Sequence, residues 1–310
     1  MGAAEYTVFG AGSIGTVLAG CLADAGVAVA IAGRGAVPDL RLEGNDETVI
    51  ARVPVVREPE GTILLCVHAP DVAELCARWP GRTVVTFQNG VASEAVAAET
   101  CRVLGAVWRM TCELTAPGLA RFTRRGRIIV GPWSAGTDAA PLAADLRRAG
   151  FDAACSGDIG ADKWLKLFVN LASVPNALVR PADHELPAFS AIKAALLEEA
   201  RDVFAAAGVT ARSCDGRDAS LDEEIERQRS GGVRGRTVHN GIWRRLAHGR
   251  PPGDRHGATL MELARQAGVQ APRNAAMLAL LDAAEGPECY GAQEVLNRLS
   301  GTARDIGYTS

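Results

Sequence analysis

Tyr6-Thr7-Val8-Phe9-Gly10-Ala11-Gly12-Ser13-Ile14-Gly15 is a short apolar run that enters a G-x-G-x-x-G turn and leaves as a helical pattern over Ser13 to Ala25. Each glycine has a separate task in such a turn. Gly10 permits the tight reversal, Gly12 lets backbone approach a pyrophosphate, and Gly15 lets the helix pack closely on the strand. The helix N-terminus then offers unpaired N–H groups and a favourable dipole to the phosphates. Gly10, Ala11, Gly12, Ser13, Ile14 and Gly15 are therefore expected to hold the pyrophosphate of a nicotinamide dinucleotide. A glycine-rich turn without a ligand is the alternative, and the alternating pattern that follows weighs against it.

From Tyr6 to about Asp152, short apolar runs alternate with helical patterns, as strands and crossover helices of a parallel sheet do. Strands are expected at Tyr6 to Phe9, Val27 to Ala32, Thr62 to Val67, Arg82 to Phe87 and Val103 to Val107. Asp71 to Arg78 and Ala92 to Thr100 read as helices between them. Thr111 to Thr115, Leu119 to Thr123 and Arg127 to Val130 are short and separated by turn residues such as Pro117-Gly118, which predicts an antiparallel extension of the same sheet. After Gly157 the pattern turns helical: Ala161 to Leu178, Phe189 to Ala207, Leu221 to Arg229, His239 to His248, Ala258 to Ala267 and Arg273 to Ala284. The fold class expected is an α/β Rossmann-type N-terminal domain, residues 1–158, followed by an all-helical domain, residues 159–310, for substrate binding or dimerisation. Ser230-Gly231-Gly232-Val233-Arg234-Gly235 reads as a mobile loop.

The end of the second strand bears on the choice of cofactor. Dinucleotide sites specific for NAD place Asp or Glu about 20 residues beyond the glycines, to accept from the ribose 2'-hydroxyl. This chain has Ala32-Gly33-Arg34 there. A guanidinium in place of a carboxylate favours NADPH over NADH; a solvated loop arginine is the other reading.

The 310 residues are 48% hydrophobic and 22% charged, enough for two packed domains, and the net charge is −3. Such a balance creates no global field that would draw in nucleic acid or an anionic membrane. The start, Met1 to Tyr6, has neither a secretory pattern nor the Ser or Thr of a myristoylation signal. Val17 to Ala32 contains Asp24 and a glycine and does not read as a membrane span. A cytoplasmic protein acting on a small molecule is expected. The eight cysteines show no Cys-x-x-Cys pair or Cys/His ligand spacing, so most are expected to be small buried residues and no metal site is expected.

Two further segments carry polar groups suited to chemistry. In Phe87-Gln88-Asn89-Gly90-Val91, at the end of an expected strand, Asn89 either hydrogen-bonds nicotinamide or substrate or simply tolerates a turn before Gly90. In Asp162-Lys163-Trp164-Leu165-Lys166-Leu167-Phe168-Val169-Asn170, Lys166 and Asn170 are spaced i,i+4 and share a helix side among apolar neighbours. Lys166 then either points into a cleft or snorkels from a buried helix.

Taken in order, these segments resemble the ketopantoate reductase (2-dehydropantoate 2-reductase) family, and the resemblance covers nearly the whole chain. It extends through Pro117-Gly118 to Gly131, the Lys-Leu-x-x-Asn helix, Gly249-Arg250-Pro251, and Gly268-Val269-Gln270-Ala271-Pro272-Arg273-Asn274. It implies a cytoplasmic NADP-dependent oxidoreductase, with a homodimer as one expected assembly, that holds its substrate between a Rossmann domain and a helical domain. Lys166 matches the family's catalytic lysine, Asn89 its cofactor and substrate asparagine, and Asn170 a supporting polar group. An ammonium suits a ketone reduction, because it stabilises and protonates the oxygen on which charge develops.

The chain departs from the family at the substrate end. His68, in Cys66-Val67-His68-Ala69-Pro70, stands where members usually have a lysine; it either binds an anion of the cofactor or is a loop-end histidine. Val174 replaces a second asparagine. Pro252-Gly253-Asp254-Arg255-His256-Gly257 replaces a threonine-glutamate-x-aspartate signature, with Gly253 near the glutamate's place. Asp254 and His256 either take over substrate binding or cap and solvate the helix. Loss of a hydrogen-bonding carboxylate is expected to change specificity. The expected activity is reduction of a small 2-oxo acid or related carbonyl with a substrate diverged from ketopantoate. An imine or N-substituted amino acid reductase and a non-redox NADPH-binding sensor are the alternatives.

Overall fold

A computed structural model of the chain describes residues 4–214, 216–231, 240–253 and 255–301. By its internal contacts the chain divides into two compact units, Met1–Lys163 and Trp164–Ser310.

The first unit contains the strands β1 (Tyr6–Phe9), β2 (Val29–Ala32), β3 (Asp39–Glu43), β4 (Thr48–Arg52), β5 (Thr62–Leu65), β6 (Thr83–Thr86), β7 (Arg102–Arg109), β8 (Cys112–Ala116), β9 (Leu119–Phe122), β10 (Arg127–Pro132) and β11 (Asp152–Cys155). Its helices are α1 (Ser13–Asp24), α2 (Val72–Ala77), α3 (Ala92–Ala98) and α4 (Ala140–Arg148), and α5 (Ile159–Leu171) begins in it. A seven-stranded sheet runs in the order β11-β10-β7-β6-β5-β1-β2. Strands β2, β1, β5, β6 and β7 are parallel, β10 is antiparallel to β7, and β11 is parallel to β10. This is the Rossmann-type arrangement: β1 lies inside the sheet, and the chain reverses its direction of travel there, between β2 and β5.

The register levels the ends of the central strands. Phe9 pairs with Ala32 on one side and with Leu65 on the other, and Leu65 pairs with Thr86. The segments that follow β1, β2, β5 and β6 therefore all leave from one edge. Those segments hold the glycine turn, Arg34, His68 and Asn89.

The expected antiparallel extension of this sheet is corrected in one respect. Only β10 joins the large sheet; β8 and β9 pair with β3 and β4 in a separate four-stranded sheet, order β4-β3-β9-β8. The β3–β4 hairpin was not anticipated. It occupies the connection between β2 and β5, and β3 pairs parallel to β9 through Leu42 and Ala120. Helix α1 packs between the two sheets, with Gly15 to Leu22 buried without interruption. That burial explains why this helix is apolar all round and not on one stripe. Its neighbours in the core include Ile31, Leu40, Leu42, Val49 and Phe122. The other face of the large sheet buries Ile63, Leu65 and Val84 against Val72, Cys76 and Ala97 of α2 and α3.

The second unit continues α5 and adds α6 (Pro175–Leu178), α7 (Pro187–Ala206), α8 (Leu221–Arg229), α9 (Gly241–Ala247), α10 (His256–Ala267), α11 (Pro272–Asp282) and α12 (Ala292–Gly301). The single helix expected from Ala161 to Leu178 is two, because Pro175 cannot continue a helix and starts α6 as its first residue. Phe168 and Leu171 of α5 pack with Leu197, Val203 and Phe204 of α7 and Leu260 of α10. Of the expected mobile loop, residues 232–235 lie outside the described residues, as do His239 and Asp254. Among the described residues no helix is long and apolar enough to cross a membrane. The cysteines are all free, but only Cys21, Cys76 and Cys101 are fully buried; Cys155 and Cys289 are exposed, against the expectation of a mostly buried set.

Candidate active site

The three glycines of the turn meet different surroundings. Gly10 has φ +112°, and a Cβ there would stand 2.5 Å from the Cys66 carbonyl oxygen, beyond the end of β5. The turn is thus seated against the strand on the far side of the switch point. A Cβ on Gly15 would lie 1.9 Å from the Gly10 carbonyl oxygen, so the helix leaves the turn in backbone contact with it. Gly12 is the opposite case: it is exposed, and a Cβ would meet nothing within 4 Å. Sterics of the protein account for Gly10 and Gly15. They do not account for Gly12, whose backbone is left bare.

Gly12 is also the N-cap of α1, with no side-chain hydrogen bond to cap it and no acidic residue in the first turn. The first intrahelical bond runs from Thr16 N to Gly12 O, 2.9 Å, so the N–H groups of Ser13 and Ile14 lie ahead of the helical ladder. An uncapped helix start beside a bare glycine has the donors and the dipole that an anion requires.

Gly33, after β2, has φ +108° and packs on Gly10, where its Cβ would come 3.3 Å from the Gly10 nitrogen. Arg34 follows it directly, is exposed, and makes no ion pair or hydrogen bond among the described residues. His68, also exposed, starts a 3-10 turn at Ala69–Asp71 after β5. Asn89 is exposed beyond β6, between the buried Gln88 and Gly90, whose φ is +84°. The Gln88 side chain bridges these segments, its Nε2 donating to Leu65 O at 2.9 Å and to Val67 O at 3.0 Å. One edge of the first unit therefore gathers Gly10 to Gly15, Arg34, His68 and Asn89.

Residues 6–135 match the sequence profile of the family described as Ketopantoate reductase PanE/ApbA. The likeness to the ketopantoate reductase family is thus carried by residues 6–135 of the first unit. A 2-dehydropantoate 2-reductase from Archaeoglobus fulgidus is 29% identical over 218 residues, which cover 65% of this chain and 74% of that relative. A PanE/ApbA family ketopantoate reductase from Ralstonia eutropha JMP134 superposes with a TM-score of 0.74 at 22% identity, over 95% of this chain and 99% of its own. A D-mandelate dehydrogenase solved with NADH does so with a TM-score of 0.73 at 17% identity, over 91% and 98% of the two chains. At these identities the structures share the fold.

The remaining candidates lie in the second unit, outside the residues that the family profile matches. Lys166 and Asn170 occupy α5, both half-buried, between the buried Leu165, Leu167, Phe168 and Leu171. The start of α5 is well determined: Asp158 Oδ1 accepts from Ala161 N at 3.1 Å, and the buried Asp162 accepts from Ser156 Oγ at 2.5 Å. His256 is the first residue of α10 and is buried, which removes the reading that it solvates the helix start. Gly253 is exposed, and a Cβ there would crowd the Arg245 side chain, 3.0 Å from its Cδ.

Two features were not singled out from the sequence. Asn240 caps α9, accepting from Trp243 N at 2.9 Å, while its Nδ2 donates to Ser173 O at 2.7 Å; an Asn ahead of an apolar helical run was a readable signal. Lys163 is buried and ion-paired with Glu94, and nothing local marked either residue.

Proposed function

We propose that the chain is an NADPH-dependent reductase of a small 2-oxo acid or related carbonyl compound. The observation that carries this reading is the bare Gly12 at the uncapped start of α1, level with the ends of β2, β5 and β6. Gly10 to Gly15 would hold the pyrophosphate by backbone N–H groups, and Asn89 would hydrogen-bond nicotinamide or substrate. Arg34, unpaired and one residue past the glycine that packs on the turn, is suited to a ribose 2'-phosphate. His68 is a second cation for the nucleotide when protonated. The D-mandelate dehydrogenase with NADH has the same fold, so the fold leaves the choice of nucleotide to Arg34.

When bound, NADPH would supply the hydride for the carbonyl carbon. Lys166 stabilises the negative charge growing on the carbonyl oxygen and transfers a proton to it, and solvent then reprotonates the amine. Asn170, one turn along the same helix, supports that ammonium. The family relatives named as 2-dehydropantoate 2-reductases support carbonyl reduction as the reaction class. Gly253 near the place of the family's glutamate supports a substrate other than ketopantoate, with Asp254 and His256 as candidates for its recognition.

Calorimetric titration with both nucleotides tests the cofactor assignment. Arg34→Ala is expected to raise the Kd for NADPH about 30-fold, the loss of one charge-assisted contact of about 2 kcal/mol, and that for NADH less than about threefold. Equal weakening of the two would take Arg34 out of the phosphate site.

A further inference from the structure

The loop that carries Asn89 is anchored from beneath by a buried ion pair. Lys163 Nζ donates to the Gln88 carbonyl oxygen at 3.0 Å and is paired with Glu94 Oε1. The two side chains are 2% and 0% exposed. Glu94 Oε1 also accepts from Thr86 Oγ1, while Glu94 Oε2 is buried with no hydrogen-bond partner. Lys163 is thus the principal compensation for burying that carboxylate, and burial pushes its own pKa down while Glu94 raises it.

The contacts span the whole loop. Thr86 is the last residue of β6, Gln88 precedes Asn89, and Glu94 is in the first turn of α3. The Gln88 carbonyl belongs to the Gln88–Asn89 peptide, so the ammonium fixes the plane from which Asn89 projects. The Gln88 side chain pins the same residue to the end of β5. Asn89 itself is exposed, and Gly90 follows it at positive φ.

We propose that Lys163 and Glu94 are positioning residues, which hold the Gln88–Asn89 peptide so that Asn89 meets nicotinamide or substrate. A charged pair has a reason to be here. It satisfies a backbone carbonyl, a hydroxyl and one carboxylate oxygen at one buried point, which apolar side chains of the same size cannot do. This rests on the reductase reading, but its test has one arm that does not.

Lys163→Met alone leaves an unpaired buried carboxylate, and its Tm is expected to fall. Lys163→Met with Glu94→Leu removes both charges and is expected to recover most of that Tm, because apolar replacement of a buried pair is often neutral. Hydrogen exchange of the folded double variant should then be faster at Asn89, Gly90 and Val91 by roughly 10-fold or more, with β1 and β7 unchanged. Wild-type exchange rates at those three amides would overturn the proposal, whatever the enzyme's activity.

The second arm is kinetic. The double variant is expected to lose roughly 10-fold or more in kcat for NADPH oxidation, with the Kd for NADPH within about threefold. In an Asn89→Ala background the same two substitutions should cost less than about a further twofold, because the pair acts through Asn89. Multiplicative effects would show that it does not. A wild-type protein that oxidises NADPH with no carbonyl would sink the reductase reading, while the exchange rates still decide whether the pair holds the loop.

Discussion

Lys166→Ala is expected to lower kcat for carbonyl reduction roughly 100-fold or more, with the Kd for NADPH within about threefold. The size follows from the two tasks given to one ammonium. Charge develops on the substrate oxygen as the hydride arrives, and a fixed cation there stabilises the transition state more than the ground state. On the proposed reading the same group also supplies the proton. Its position in α5 is fixed by packing, since Leu165, Leu167 and Phe168 around it are buried and the helix start is held by Asp158 and Asp162. Alanine is a good helix former, so the substitution is expected to leave α5 intact. Single-turnover oxidation of bound NADPH separates the chemical step from binding. A near-normal rate would remove Lys166 from its role.

Gly15→Ala and Gly12→Ala are expected to fail in opposite ways. A methyl on Gly15 would fall 1.9 Å from the Gly10 carbonyl oxygen, which is backbone and has no rotamer to escape by. Relief requires α1 to move off β1, against the core that Val17, Leu18 and Leu22 form with Leu40 and Leu42. Overpacking of this kind costs about 3 kcal/mol or more, or a Tm lower by roughly 10 °C, and the turn is expected to lose NADPH as well. Gly12 has ordinary φ/ψ for an extended residue, −79° and −170°, and its Cβ would meet nothing. Its replacement should cost less than about 1 kcal/mol of stability, yet raise the Kd for NADPH about 30-fold or more by filling the space of the pyrophosphate. Thermal melts and nucleotide titration of the two variants check both halves. Unaltered NADPH binding by Gly12→Ala would contradict the location of the site.

Several of these features were legible in the residues and others were not, for identifiable reasons. The glycine turn was readable because backbone conformation itself demands glycine at Gly10 and close packing demands it at Gly15. The helix opening at Leu221 was readable too, and Ser220 with Glu223 forms a reciprocal cap at its start. In β3, Leu40 and Leu42 face inward and Asp39, Arg41 and Glu43 do not, an alternation that was available. Its pairing was not. β3 meets β9 through Arg41 and Leu119, a contact that neighbouring sequence cannot announce, and sequential adjacency wrongly sends β8 and β9 to the large sheet. The Lys163–Glu94 pair was hidden for the same reason: each residue reads locally as a helix-surface charge. His256 reads either as a substrate-binding group or as a solvated helix start, and it is buried. At the substrate end Gly253, Asp254 and His256 were readable as departures from the family's signature, but residues that differ from a signature do not name a substrate.

The central claim is that NADPH bound at the glycine turn reduces a carbonyl substrate. Steady-state loss of nicotinamide absorbance with the full-length chain tests it most directly, using NADPH with ketopantoate, a panel of other 2-oxo acids, and the same acids with ammonia or amines. The account predicts oxidation of NADPH by at least one 2-oxo acid without amine, faster than by ketopantoate, with one equivalent of hydroxy acid formed per NADPH consumed. Tight NADPH binding with no oxidation by any carbonyl compound, or oxidation only when an amine is present, would contradict it.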